Sequence, residues 1–183
     1  MINNRFKIGC SIFLMSSIFF FSSCQKNENS NSSNNEKLAE AEKPDKQVLL
    51  DLLNTELYFA ETTKLGVERA TNPVLKDFAQ NANSKHQQNY VKLKEICEEN
   101  KFEIPSKLTD EFNDKLYKFT VSNNSDFDEY FFKYLLEDYH TNLNKVAKLI
   151  NEKTQPASQP ILNEIEANYQ VTIDDFENTR RTP

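Results

Sequence analysis

The sequence predicts an all-α protein, an antiparallel four-helix bundle with a short extra helix in the connection between its second and third helices. Three observations lead there. Pro44, Pro73, Pro105, Pro156 and Pro160 bracket long stretches rich in Leu, Lys and Glu. Proline breaks a helix interior but is tolerated in its first turn, so that spacing outlines helices. Inside the stretches apolar residues recur every three or four positions, the period of an amphipathic helix. No run alternates with period two, so no strand is expected.

Residues 1–23 stand apart from the fold. Arg5 and Lys7 precede an apolar run from Ile8 to Phe21, which ends at Ser22-Ser23-Cys24. About 14 apolar residues are too few for a spanning helix, which needs roughly 20, and the charged start suits an export signal. The segment resembles a bacterial lipoprotein signal peptide, cleaved so that Cys24 carries acyl chains such as palmitate. Two or more chains hold a protein stably to a bilayer, where one holds it only marginally. Gln25 stands where an aspartate would retain a lipoprotein in the inner membrane, so the outer membrane is the expected address. Residues 24–45 then form a tether. From Gln25 to Lys46 the chain is rich in Asn, Ser, Glu and Lys and nearly free of bulky apolar residues, too little to bury for an ordered fold. As a coil of about 20 residues it would span roughly 25 Å.

The bundle is expected over residues 46–180, about 137 residues to the end of the chain and enough for one core. Its first helix, about 46–70, carries Leu49, Leu53, Leu57 and Leu65. Asn72-Pro73 reads as the N-cap and first residue of the second helix, which runs to about residue 100 with Leu75, Phe78, Ala82, Tyr90, Leu93 and Cys97. The short piece at 107–119 carries Leu108, Phe112, Leu116 and Phe119. A cap at Ser125 or Asp126 opens the third long helix, about 126–153, with Phe127, Phe131, Leu135, Leu143, Val146 and Ile150. The fourth, about 158–179, carries Leu162, Ile165, Tyr169, Ile173 and Phe176.

Composition removes several function classes. Loss of residues 1–23 takes Arg5 and Lys7 and no acid, moving the formal charge from −6 to −8. Such a chain, with no clustered Lys/Arg stripe, lacks the phosphate-neutralising charge that nucleic-acid binding needs. Gly66 would be the one glycine left, which excludes a Gly-rich phosphate loop. His86 and His140 are the only histidines, and Cys97 would be the one free thiol, so a zinc finger, a three-histidine zinc site and an internal disulfide are excluded too. There is no nucleophile elbow for a serine hydrolase.

Polar residues that interrupt the apolar lines are the candidate site. Glu61 lies four residues after Leu57 and four before Leu65, and His86 lies between Ala82 and Tyr90, so both are expected to face the interior. Asp138 falls at the edge of the third long helix's apolar face. Buried acid and imidazole groups are costly unless they pair or hold a metal. Glu137 and His140 have the Glu-x-x-His spacing of a di-iron ligand pair, but they sit on the outer side of their helix and read as a solvated pair. Tyr130, Phe131, Phe132 and Tyr134 surround the third long helix, and an exposed ring among them suits a partner protein or a second copy of the bundle.

Taken in order, Ala60-Glu61-Thr62-Thr63-Lys64-Leu65, the turn Glu68-Arg69-Ala70-Thr71-Asn72-Pro73, Leu75-Lys76-Asp77-Phe78-Ala79, His86 and Glu137-Asp138 resemble a ferritin-like family of bacterial envelope proteins. The resemblance covers about residues 46–178. Members of that family are labelled domain of unknown function or predicted outer-membrane protein, so the resemblance implies a ferritin-like bundle and no particular activity. Glu61 and His86 match its polar positions. Ser84-Lys85 replaces an acidic pair, Asp138-Tyr139 replaces an Asp-His pair with His140 one residue later, and Asp175 stands where relatives often have a histidine.

Two function classes follow. The preferred one is a membrane-tethered, non-enzymatic lipoprotein of the envelope, acting in interactions or stress protection, with no cofactor. The other is a metal-binding or redox protein of ferritin-like descent, in which Glu61, His86, Asp138 and Asp175 would hold a transition metal such as iron or zinc.

Overall fold

A computed structural model describes residues 44–152 and 156–181, which among themselves form five α-helices and no strand. The expected signal segment, Cys24 and nearly all of the tether lie outside the described residues. The helices are α1 (Lys46–Arg69), α2 (Pro73–Glu99), α3 (Asp110–Val121), α4 (Phe127–Glu152) and α5 (Gln159–Arg181). Single 3₁₀ turns at Asn124–Asp126 and Pro156–Ser158 lead into α4 and α5.

Local chemistry sets the helix boundaries. Asp45, at the end of the expected tether, caps α1 by accepting from the Val48 amide at 3.0 Å. The Asn72 side chain accepts from the Val74 and Leu75 amides, with Pro73 in the first helical position, where a missing N–H is harmless. The C-terminus of α2 closes in a Schellman motif, with the Phe102 amide on the Cys97 carbonyl and the Lys101 amide on that of Glu98. Lys101 takes the left-handed conformation this needs, at φ 59°. Thr109 caps α3.

Side-chain pairing fixes how the helices run. Residue 60 of α1 meets residue 83 of α2 and residue 56 meets residue 86, so α1 and α2 are antiparallel. Phe78 lies on Phe176 and Asn89 on Asn168, which sets α5 antiparallel to α2. Phe132 meets Phe176 and Tyr139 meets Tyr169, so α4 opposes α5. Tyr58 reaches Asp138, while a Cβ at Gly66 would strike the Phe131 ring, so α1 opposes α4. Each long helix thus has two antiparallel neighbours, in the ring α1, α2, α5, α4.

Because α2 ends at the opposite end of this ring from the start of α4, the intervening connection must travel its full length. The short helix α3 does so along α1 and α4. Phe112 stacks on Tyr58 with centroids 4.7 Å apart, and Phe119 packs edge-on against Tyr130. Arg69 donates to the Phe119, Thr120 and Ser122 carbonyls at 2.5 to 2.8 Å, a cation at the negative end of α3. Asp128 accepts from the Thr71 and Asn72 amides and the Thr71 hydroxyl, tying α4 to the α1–α2 turn.

Candidate functional site

His86 is 1% exposed and Glu56 is wholly buried. The imidazole Nδ1 lies 2.7 Å from Glu56 Oε2, and its Nε2 lies 2.7 Å from the hydroxyl of buried Tyr139. Asn89 donates to Glu56 Oε2 at 3.3 Å, and Asn168 donates to Asn89 Oδ1 at 3.1 Å. One hydrogen-bonded chain therefore links α1, α2, α4 and α5. Each member falls on its helix's inward line, and Phe59 walls the chain by stacking on both His86 and Tyr139.

The phenols around it stay protonated. Burial pushes both Tyr139 and Tyr169 well above the usual tyrosine range, and the Glu56 charge beside them pushes further. The Tyr169 hydroxyl faces the Glu56 carboxylate, whose charge and hydrogen bond add to the effect of burial, and neither this hydroxyl nor Glu56 Oε1 has any other hydrogen-bond partner.

A second polar cluster holds α3. Asp138, 9% exposed, accepts from the Tyr58 hydroxyl and pairs with Lys115 Nζ at 2.8 Å. Burial lowers the Lys115 ammonium's affinity for its proton, but the hydrogen bond and charge of Asp138, helped by Glu111, outweigh it and move the group upward.

The structure redistributes the predicted site. Glu61 is exposed on α1, beside Lys64 and Gln87 of a shallow cleft, and does not face the interior. Glu56, missed in the sequence, takes the place expected of it. The reason is angular: a line of every fourth residue drifts about 40° per step on a 3.6-residue helix, so Leu49, Leu53, Leu57 and Glu61 wind off the buried face. The buried line alternates fours and threes through Leu49, Leu53, Glu56, Ala60 and Thr63 and reaches Gly66 by one more step of three. That alternation, already visible in α2 from Leu75 to His86, is the signal that finds Glu56.

Asp138, expected at the edge of its helix's apolar face, is buried there and meets Tyr58 and Lys115, not His86. Asp175 is exposed and pairs with Lys85 at 3.4 Å. Glu137 and His140 are exposed, and the acid nearest His140 is Glu177, at 4.0 Å, in place of Glu137. The four residues expected to share a metal do not come together. Among the described residues no three His, Cys, Asp or Glu side chains form a metal-holding group, and the buried chain offers one imidazole and one carboxylate already bonded to each other.

No described helix is long and apolar enough to cross a membrane. No curated protein and no solved structure matches the chain. A family model does match, over residues 29–177, which takes in α1 to α4, α5 as far as Glu177 and the whole buried chain of hydrogen bonds. The protein therefore belongs to the family described as Domain of unknown function (DUF4142).

Proposed function

We propose that this protein is a lipid-anchored module of the bacterial envelope, a ferritin-like four-helix bundle held to the outer membrane through acylated Cys24. It acts without catalysis, by presenting its surface to envelope partners or to another copy of itself, in interaction or stress protection. The observation that carries the non-enzymatic reading is the closure of the core: both nitrogens of the one buried imidazole are taken by Glu56 and Tyr139. A polar chain spanning four helices fixes register and partner choice among otherwise interchangeable apolar faces. The bundle label is supported by the ring of antiparallel neighbours and by the single full-length crossover carrying α3, the connectivity of ferritin-like folds. Anchoring is supported by the Arg5-to-Cys24 pattern and the tether composition.

Expression of the full chain with a clickable palmitate analogue tests the anchor. The wild type should take up label and sediment with outer membranes, and Cys24→Ala should lose both. An unlabelled wild type, or a Cys24→Ala chain that still fractionates with the membrane, would sink the reading. Elemental analysis of the detergent-solubilised protein tests the other half: a stoichiometric transition metal would replace the structural reading of the core by a metal-binding one.

A further inference from the structure

The buried chain has a direction that a purely structural network does not need. Glu56 Oε2 occupies His86 Nδ1 at 2.7 Å, and a carboxylate there requires the imidazole proton on that nitrogen. In the neutral imidazole Nε2 is then an acceptor, and the Tyr139 hydroxyl faces it, 2.7 Å away. The arrangement is a phenol, a base in contact with its proton, and a carboxylate that orients the base and stabilises its cation. Since the whole set is buried, the phenol cannot meet a substrate. It can lose an electron, provided its proton has somewhere to go.

We propose that Tyr139 is a one-electron redox site, oxidised to a neutral phenoxyl radical as its proton moves to His86 Nε2. The electron goes to a one-electron oxidant of the peroxyl-radical class. That oxidant, with a proton from water, leaves as a hydroperoxide. The O–H bond of Tyr139 breaks, the Nε2–H bond forms, and the new imidazolium is neutralised by Glu56. A one-electron donor of the thiol class reverses the step: it gives its electron to the phenoxyl and its proton to water, leaving as a thiyl radical, while the Tyr139 proton returns from Nε2. Burial and the Glu56 charge keep the phenol protonated, and the contact with Nε2 at 2.7 Å gives that proton its place to go on oxidation.

A cleft beside Tyr169 gives the electron a way out. Tyr169 forms part of the wall of a cleft of about 380 Å³ between α1, α3 and α4, shared with Leu52, Phe112, Asn142 and Val146. The Tyr169 ring lies 6.2 Å from that of Tyr139, centroid to centroid. A small oxidant in the cleft is thus separated from the site by the single ring of Tyr169, while Tyr139 itself stays buried. The proposal gives the stress-protection side of the module reading a chemistry, would replace its non-catalytic part, and stands whether or not Cys24 carries lipid.

Flash photo-oxidation of the full-length protein with a ruthenium–bipyridyl sensitiser, read by electron paramagnetic resonance, tests it. Seven tyrosines can be oxidised, and the expected signal is a phenoxyl radical outliving those of exposed tyrosines at least tenfold. It should carry one strongly coupled exchangeable proton donated by the imidazolium. Tyr139→Phe keeps the stacked ring and should abolish the long-lived signal, and His86→Gln should cut its yield tenfold or more. A long-lived radical that survives Tyr139→Phe, an unchanged yield in His86→Gln, or a wild-type radical without the exchangeable coupling would each overturn it. The last readout needs no variant to fold.

Discussion

Glu56 and Glu61 are five residues apart on the same helix, and their fates differ because one faces a buried imidazole and the other faces water. Glu56→Ala leaves His86 Nδ1 and Asn89 buried without their acceptor, and should destabilise the protein by about 3 kcal/mol. Glu61→Ala, on an exposed site, should change stability by less than about 0.5 kcal/mol. Chemical denaturation of the two variants checks the contrast, and equal losses would return Glu61 to the core. Combining Glu56→Gln with His86→Leu should give a coupling of about 0.5 to 3 kcal/mol, since the residues share a hydrogen bond. Cys97 behaves as a small core residue, fully buried, with burial and then Glu98 raising its thiol.

At the scale of elements, the ends of helices carry testable chemistry. Lys101 holds a left-handed backbone at the end of α2, a conformation that a side chain makes costly and glycine accepts. Lys101→Gly should therefore stabilise by about 0.5 to 1 kcal/mol, seen as a raised melting temperature. Asp128 ties the start of α4 to the α1–α2 turn. Burial pushes its carboxyl up, but hydrogen bonds from the Thr71 hydroxyl and the Thr71 and Asn72 amides outweigh it and hold it below the usual range. A carboxyl depressed in the folded state adds stability above its unfolded value and loses it as pH falls through the folded one. The melting difference between wild type and Asp128→Asn should accordingly be largest near neutral pH and shrink below about pH 4. A difference that grows on acidification would contradict this.

The whole molecule depends on close approach at one point. A Cβ on Gly66 would lie 2.5 Å from Phe131 Cζ and 2.9 Å from Ala79 Cβ, so α1 sits against both α4 and α2 only because that residue has no side chain. Phe131 and Ala79 are wholly buried and cannot withdraw without disturbing the rings around them. Gly66→Ala should cost about 1 to 3 kcal/mol despite alanine's better helix propensity, measured as a lowered denaturation midpoint. An unchanged midpoint would mean that the helices separate easily there, and that the core is less tightly keyed than its polar chain implies.

The all-helical class, the helix limits and most of the core were legible in the chain because they follow from local rules. Pro73 after Asn72 starts α2 wherever the rest of the molecule lies, and the line Leu162, Ile165, Tyr169, Ile173, Phe176 is buried along its whole length, since its spacing of three and four keeps pace with the helix. His86 was found by the same rule. The partner of His86 was not, because an every-fourth-residue line through α1 pointed to Glu61 after the helix had already turned away. Tertiary structure alone decided which acid meets the imidazole, that Asp138 serves Lys115 and Tyr58, that Asp175 stays outside, and that His140, exposed as expected, lies nearest Glu177. Sequence periodicity specifies the face of one helix, but a hydrogen bond between helices depends on their relative rotation and axial shift to within an ångström, and that is settled only when all four pack.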